Sequence, residues 1–500
     1  MTTDDARSPI DRRVLLGAGA AGAAAIAGLP SPAFSQRQQA GTAGSVDGMQ
    51  GAKTAAESIA DFIIGFDLKS VPPVAIERAR TAFVDTVGVM LAGSQLPPVD
   101  IACDVVKLTG STPAATIVGR ELRAAPQLAA LANGVAGHCM DFDLTYFAGQ
   151  SIAPVIPAIL PVAETSGANS AEMLSAFIIA AEIAGRVGRA GNEAWRAGGW
   201  HTAGTVGVVA AAAACARLLN IERQHIADVI GITASLASGV TANFGTMTKP
   251  LHSGHAAHDA VLAAMLGARG FSANARALEG KLGYFESFAR GLSWSPEPFA
   301  SLGNSYDLVD YGYKIKPYPS GGLGHTAIDA ALELRDAVAL GEVAHVDVAI
   351  TRYAAQRYTD QYPRSAEGAK FSGPYLAAYT FVHGAPMLAA FTEEALHDAA
   401  VRSFAQKVSL SIYQDYADLK EESPAKVTVT FGDGRKIERA KYYPSGSTQV
   451  PMPARQIKAK FDICAEQAVD RTKADKIYAT LSTLGEQPSL DDFWPLLRKA

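Results

Sequence analysis

The chain has 500 residues, 48% of them hydrophobic and 19% charged, with a formal net charge of −5. That is ordinary globular composition, long enough for a large core and two or three domains. So small a charge argues against a nucleic-acid or polybasic membrane partner, and an anionic ligand would have to find local positive charge.

The first predicted element, residues 1–35, is a leader. Arg12 and Arg13 precede an apolar Gly/Ala-rich run from Val14 to Leu29, and Pro30, Ser31, Pro32 and Ala33-Phe34-Ser35 follow. A charged start, an apolar middle and a small-residue cleavage region describe a signal peptide. The string Asp11-Arg12-Arg13-Val14-Leu15-Leu16 gives it twin-arginine character, which predicts export to the periplasm. The apolar run is too short for a comfortable spanning helix, so no membrane contact is expected after its removal. Residues 36–52, rich in Gly, Ser, Gln and Thr, read as a disordered lead-in. Gly17-Ala18-Gly19-Ala20-Ala21-Gly22 matches a dinucleotide fingerprint, but no strand precedes it and it lies in the leader, so it is rejected.

Residues 53–304 read as a helical domain. A helix over 171–186, capped by Ser170, carries the apolar stripe Met173, Phe177, Ile178, Ala181 and Ile183. Residues 205–219, nearly all Ala and Val, predict a helix buried on all sides. Further helices are predicted over 222–238 and 256–269, stopped by Gly239 and Gly270, and one short strand over 115–118. From 305 to 452 the pattern is α+β. Residues 346–353 alternate like a strand, 426–431 and 436–440 flank the hairpin signature Gly432-Asp433-Gly434-Arg435, and a helix is predicted over 325–338. Residues 453–500 are helical again, over 454–470 and 473–484, and are expected to pack back on the helical domain. The expected fold class is mainly α: a large all-helical domain, a smaller α+β domain, and returning C-terminal helices.

Five segments concentrate residues with chemistry. In Asn133–Thr145, Asp141 and Thr145 would share a face if the preceding helix continued; otherwise the aspartate caps the next element. His201, at the mouth of the Ala-rich helix, is a general base, a carboxylate clamp or, more commonly for a lone histidine, a structural hydrogen-bonder. Lys249 sits among apolar and small residues, where it contacts an anion, has a lowered pKa, or is simply solvated. His252, His255 and His258 are spaced by three, which drifts around a helix, and no H-E-x-x-H glutamate is present, so no metal is expected. Lys316 precedes Pro317-Tyr318-Pro319 and a Gly-rich turn that opens a helix, a place to hold a carboxylate or a plain interdomain turn. Arg364 to Tyr375 supplies a cation and a phenol, or an ordinary loop. Cys103, Cys139, Cys215 and Cys464 show no C-x-x-C spacing, which argues against zinc or an iron–sulfur cluster; buried free thiols are expected.

In this order the segments resemble the 2-methylcitrate dehydratase / cis-aconitate decarboxylase (MmgE/PrpD) family. The resemblance rests on Ala132-Asn133-Gly134, Asp141-Phe142-Asp143-x-Thr145, Gly199-Trp200-His201 and Thr248-Lys249-Pro250-Leu251-His252-x-Gly254. It continues through Leu278-Glu279-Gly280, Lys316-Pro317-Tyr318-Pro319 and Lys370-Phe371-Ser372-x-Pro374-Tyr375. It implies a helical domain with an α+β lid, a homodimer, and lyases or isomerases that act on di- and tricarboxylates without metal or organic cofactor. It puts Asp141, Thr145, His201, Lys249, Lys316 and Tyr375 at family active-site positions. Three positions depart from the family pattern: Gln150 replaces a catalytic histidine, Gly321 replaces a histidine after the lid lysine, and Leu144 replaces a second aspartate. Glutamine cannot accept a proton near neutral pH.

The expected activity is that of a hydro-lyase removing a proton next to a carboxylate. The alternatives are an isomerase or epimerase of a dicarboxylate and a non-catalytic periplasmic carboxylate-binding protein. Lys249, Lys316 and Arg364 are expected to bind carboxylates, with His252 and Gln150 beside them. His201 or Lys249 would be the base, Asp141 would tune it, Tyr375 would donate a proton and Thr145 would position substrate. The lysines come from different domains, so lid closure would assemble the site.

Overall fold

A computed structural model describes residues 53–499 apart from 192, 359–360 and 421. The predicted leader and lead-in, residues 1–52, lie outside the described residues. The chain folds as a large helical part and a smaller α+β part, each around its own hydrophobic core.

Seven helices build most of the first core: α1 (Pro73–Gly93), α2 (Pro126–His138), α3 (Val155–Ser166), α4 (Ser170–Gly191), α5 (Thr202–Leu218), α6 (Arg223–Leu236) and α7 (Thr248–Gly267). α5 is the hub, touching α3, α4, α6 and α7. Its Ala, Gly and Val side chains are short enough for neighbours on every side, and nearly all are buried. α2 and α7 meet backbone to backbone. A Cβ on Gly134 would lie 2.6 Å from the Gly254 Cα, and one on Gly254 would lie 2.6 Å from the Leu131 carbonyl oxygen. That glycine contact sets the last turn of α2 beside the first turn of α7, where the site forms.

Two predicted boundaries move for identifiable reasons. α7 begins at Thr248, well before the predicted start, because Pro250 falls in the first turn, where its missing N–H costs nothing. α4 is capped by Asn169, whose Oδ1 accepts from the N–H groups of Ala171 and Glu172 at 2.9 and 3.0 Å. Ser170 instead donates its hydroxyl to the Gln487 carbonyl. The predicted strand at 115–118 is two residues, Ala115–Thr116, paired with Arg123–Ala124.

A two-stranded ribbon, β1 (Thr145–Tyr146) with β2 (Tyr313–Lys314), joins the helical part to the segment that enters the lid, with Thr145 opposite Lys314. The lid sheet contains β3 (Val343–Ile350), β4 (Val408–Ile412), β5 (Ala425–Phe431) and β6 (Lys436–Lys441), in the order β4-β3-β5-β6. Only the β3–β4 pair is parallel. Alternate residues Val346, Val348 and Ile350 of β3 and Val427, Val429 and Phe431 of β5 are buried in the lid core, as a half-buried sheet requires. α8 (His325–Arg335) and α9 (Gly373–His383) contribute Ile328, Leu334, Leu376 and Phe381 to the same core.

The chain ends in α10 (Ala454–Ala465) and α11 (Arg471–Ser482), which pack on α1 through Phe461, Ile477 and Leu481. Cys103, Cys139, Cys215 and Cys464 are buried free thiols. Among the described residues no single helix is long and apolar enough to cross a membrane.

Candidate active site

α2 stops at His138, so Asp141 and Thr145 do not share a helix face. Asp141 instead turns the chain with φ of 53°, a left-handed conformation that aspartate tolerates better than most residues. Three lysine side chains hold this turn by its carbonyls. Lys370 donates to the Cys139 oxygen at 2.9 Å, Lys316 to the Asp141 oxygen at 2.9 Å, and Lys460 to the Phe142 oxygen at 2.7 Å. Lys316 and Lys370 come from the lid side; Lys460 comes from α10.

The Asp141 carboxylate is the centre of the cluster. Its Oδ1 lies 2.8 Å from Lys249 Nζ and 2.6 Å from Lys316 Nζ, and accepts from Gln150 Nε2 at 3.0 Å. Asp141, Lys249 and Lys316 are 3%, 5% and 3% exposed, so two ammonium groups face one carboxylate out of water. Burial alone would raise the Asp141 carboxyl, but Lys249 and Lys316 overcome it and hold it well below the ordinary carboxylate range. Burial lowers the Lys249 ammonium, with Asp141 opposing. Lys249 also sits between the rings of Phe244 and Phe371, 5.3 and 5.2 Å from their centroids.

A hydrogen-bond chain continues from Asp141. Gln150 meets His201 Nε2 through its Oε1 at 2.8 Å, and His201 Nδ1 meets His252 Nδ1 at 3.0 Å. The direction of the chain is assigned from the partners. An ionised carboxylate only accepts, so Gln150 turns its NH2 to Asp141 and its oxygen to His201. His201 then donates from Nε2, and its bare Nδ1 accepts the Nδ1–H of His252. Burial, reinforced by the Lys249 charge, pushes His201 well below its usual range and His252 down to about 4. Both rings are therefore neutral near pH 7. Behind His201 lies a second pair: His138 Nδ1 is 2.9 Å from Asp143 Oδ2, and the His138 ring stacks on His201 at 5.3 Å.

The structure brings Asp141, Gln150, His201, Lys249, His252 and Lys316 together. Thr145 is close in sequence and begins β1; its buried Oγ1 has no hydrogen-bond partner among the described residues. Two expected residues do not converge. Tyr375 lies in the first turn of α9 and donates its hydroxyl to the Ala390 carbonyl, its ring packed against Tyr362 and Tyr379 in the lid core. Arg364 is exposed. The three spaced histidines diverge: His252 faces His201, while His255 and His258 flank Asp259 at 3.0 and 2.9 Å.

Sequence reasoning assigned no role to His138, Asp143, Lys370, Lys460 or Tyr358. The first three lie inside quoted motifs, and buried charge is the signal they share. Tyr358 carries no sequence signal. It donates its hydroxyl to the Gly321 carbonyl, and a Cβ on Gly321 would lie 2.5 Å from that hydroxyl oxygen. Tyrosine thus occupies the space that a side chain at 321 would need.

Fold and site together define a two-lobed, mainly helical protein with a buried, cationic, carboxylate-centred cluster where the lobes meet. The chain belongs to the MmgE/PrpD family: residues 57–297 match its N-terminal domain and residues 318–484 its C-terminal domain. It is 26% identical over 446 residues to the cis-aconitate decarboxylase of Mus musculus, covering 86% of this chain and 91% of that protein. The cis-aconitate decarboxylase of Homo sapiens is 27% identical over 422 residues, covering 82% of this chain and 87% of the human protein. That of Aspergillus terreus is 25% identical over 456 residues, 85% and 92% of the two chains. At the level of the family these relatives support a lyase.

Proposed function

We propose that the protein is a cofactor-independent lyase, foremost a hydro-lyase, that acts on a small di- or tricarboxylate by removing a proton next to a carboxylate. The observation that carries this reading is the convergence of Lys249 and Lys316, from two lobes, on buried Asp141 beside neutral imidazoles. Removing a carbon-bound proton next to a carboxylate puts negative charge on the substrate, and fixed ammonium groups in a water-poor site stabilise it strongly. The cluster has more positive than negative charge, so an entering carboxylate meets the unbalanced ammonium. The relatives named for cis-aconitate point to substrates with two or three carboxylates.

An isomerase or epimerase of a dicarboxylate is the second reading, favoured by Gln150. Its amide bridges Asp141 and His201 at a place where elimination would use an acid, and epimerisation needs no leaving-group acid. Proton NMR in D2O with citrate, cis-aconitate, tartrate and an aminodicarboxylate separates the readings. Loss of water or carbon dioxide marks the lyase; deuterium incorporation without net elimination marks the isomerase. Lys249→Ala and Lys316→Ala are each expected to lower turnover by about 100-fold or more. Wild-type rates in both variants would remove the proposal. Tight binding with no chemistry would leave only a carboxylate-binding protein.

A further inference from the structure

His138 ends α2 and is fully buried. Asp143, 2% exposed, meets its Nδ1. Burial raises the Asp143 carboxyl, but His138 and then Lys316 outweigh it and hold it below the ordinary range, so it is ionised and accepts the Nδ1–H. Nε2 is left, and it has no hydrogen-bond partner among the described residues. Whether it carries a lone pair or a proton, a buried imidazole nitrogen without a partner is costly unless a ligand completes it.

Three other candidates for proton transfer are already engaged. His201 uses both ring nitrogens, and Lys249 and Lys316 both point at Asp141. His138 lies against the same centre, its ring stacked on His201 with 28° between the planes. An imidazole oriented by a carboxylate at one nitrogen and open at the other is the arrangement general bases use.

We propose that His138 is a further catalytic residue, the group that takes the substrate proton at Nε2, and that Asp143 is its positioning residue. The assignment rests on the lyase reading above and deepens it. In the step, the substrate C–H bond breaks and an N–H bond forms at His138. The electron pair stays on the substrate and spreads into the carboxylate held by Lys249 and Lys316. The imidazolium is balanced by Asp143. The proton then leaves with the departing hydroxyl as water, or exchanges with solvent before a proton returns to the opposite face of the carbon in an epimerisation.

The test uses the full chain with citrate, cis-aconitate and tartrate, followed by NMR in D2O, with His138→Gln and Asp143→Asn. The asparagine variant is nearly isosteric and keeps the assignment testable should the glutamine variant fail to fold. Its amide donates to Nδ1 and so moves the ring proton to Nε2, the wrong tautomer. Each variant is expected to lose about 100-fold or more in kcat while KM moves little, because the lost interaction belongs to the transition state. The acid limb of the pH–rate profile should disappear with His138→Gln. Asp143, Asp141, His201, His252, Lys249 and Lys316 all face this ring or its partner, so the limb is assigned by its loss and not by its midpoint. A wild type with neither exchange nor turnover defeats the lyase reading and this assignment with it. An active wild type matched by both variants, acid limb included, defeats the assignment alone.

Discussion

Replacing Asp141 by asparagine should cost more stability than removing either lysine that pairs with it. The two Nζ atoms lie 2.8 and 2.6 Å from one oxygen. They are therefore no more than about 5.4 Å apart, where two like charges repel by about 3 kcal/mol at an effective dielectric near 20. In the wild type the carboxylate cancels this. Asp141→Asn leaves two buried ammonium groups with no counter-charge in contact, a loss of about 3–5 kcal/mol. Lys316→Met leaves Asp141 with Lys249 and Gln150, and should cost only about 1–2 kcal/mol. The pH dependence separates this cause from simple packing loss. Lys249 already has a lowered pKa from burial, with Asp141 opposing the shift. Without Asp141 it falls further. A lysine depressed in the folded state costs stability below its folded pKa, and that cost disappears as pH rises toward the unfolded value of 10.5. The gap between variant and wild type should therefore narrow as pH rises toward 10.5. On the acid side the sign is opposite. The wild type keeps the Asp141 contribution above 3.8 and loses it as pH falls through the lower folded value. Thermal unfolding followed by circular dichroism across this range measures both. An Asp141→Asn protein as stable as Lys316→Met, or a gap that does not change with pH, would refute the electrostatic account.

Gln150→Ala removes the bridge between Asp141 and His201 and should cut kcat by about 10-fold or more while costing under about 2 kcal/mol; steady-state rates and urea unfolding check it. Gly321→Ala drives a methyl into the Tyr358 hydroxyl and Phe371, and should destabilise the protein by about 1–3 kcal/mol. Adding Tyr358→Phe should restore part of that loss in a melting assay. Gly134→Ala has no flexible side chain to displace, because its Cβ meets the Gly254 backbone. It should force α2 from α7, lower the melting temperature and lower activity together, since His138 and Lys249 ride on those two helices.

The mainly helical class and the α+β insert were legible because composition and alternation are local. The Ala/Val run that became α5, the alternating strand β3 and the β5–β6 hairpin needed no tertiary information. Boundaries failed where one residue type has two meanings. The helix predicted from residue 256 starts at Thr248 with Pro250 in its first turn, and Asn169 outcompeted Ser170 as a cap because the serine found Gln487, far along the chain. Whether the helix before Asp141 would continue to Thr145 was open in the sequence; it stops at His138, and Lys316 and Lys370 hold the following turn by its carbonyls, partners no window of local sequence contains. Side-chain direction was equally hidden. Tyr375 sits in a motif that faces the site, yet its own ring turns into the lid core, while Lys370 five residues earlier reaches the Cys139 carbonyl.

The three lysines on the 139–142 turn tie lid position to the charge of the site. A left-handed aspartate costs on the order of 1–2 kcal/mol, whereas each charge-assisted bond to a carbonyl returns about 1.5–3 kcal/mol. Two of those three bonds come from the lid, so the turn keeps its shape while the lid is docked. Docking also changes the charge that a ligand meets. Asp141 with Lys249 alone is neutral; adding Lys316 makes the cluster positive. On the proposed function, a carboxylate substrate would prefer the docked lid, and by linkage its binding would favour docking by the same free energy. Lys460, paired with Asp85 at 2.7 Å, belongs to the helical part and holds the turn by the Phe142 carbonyl independently of the lid lysines.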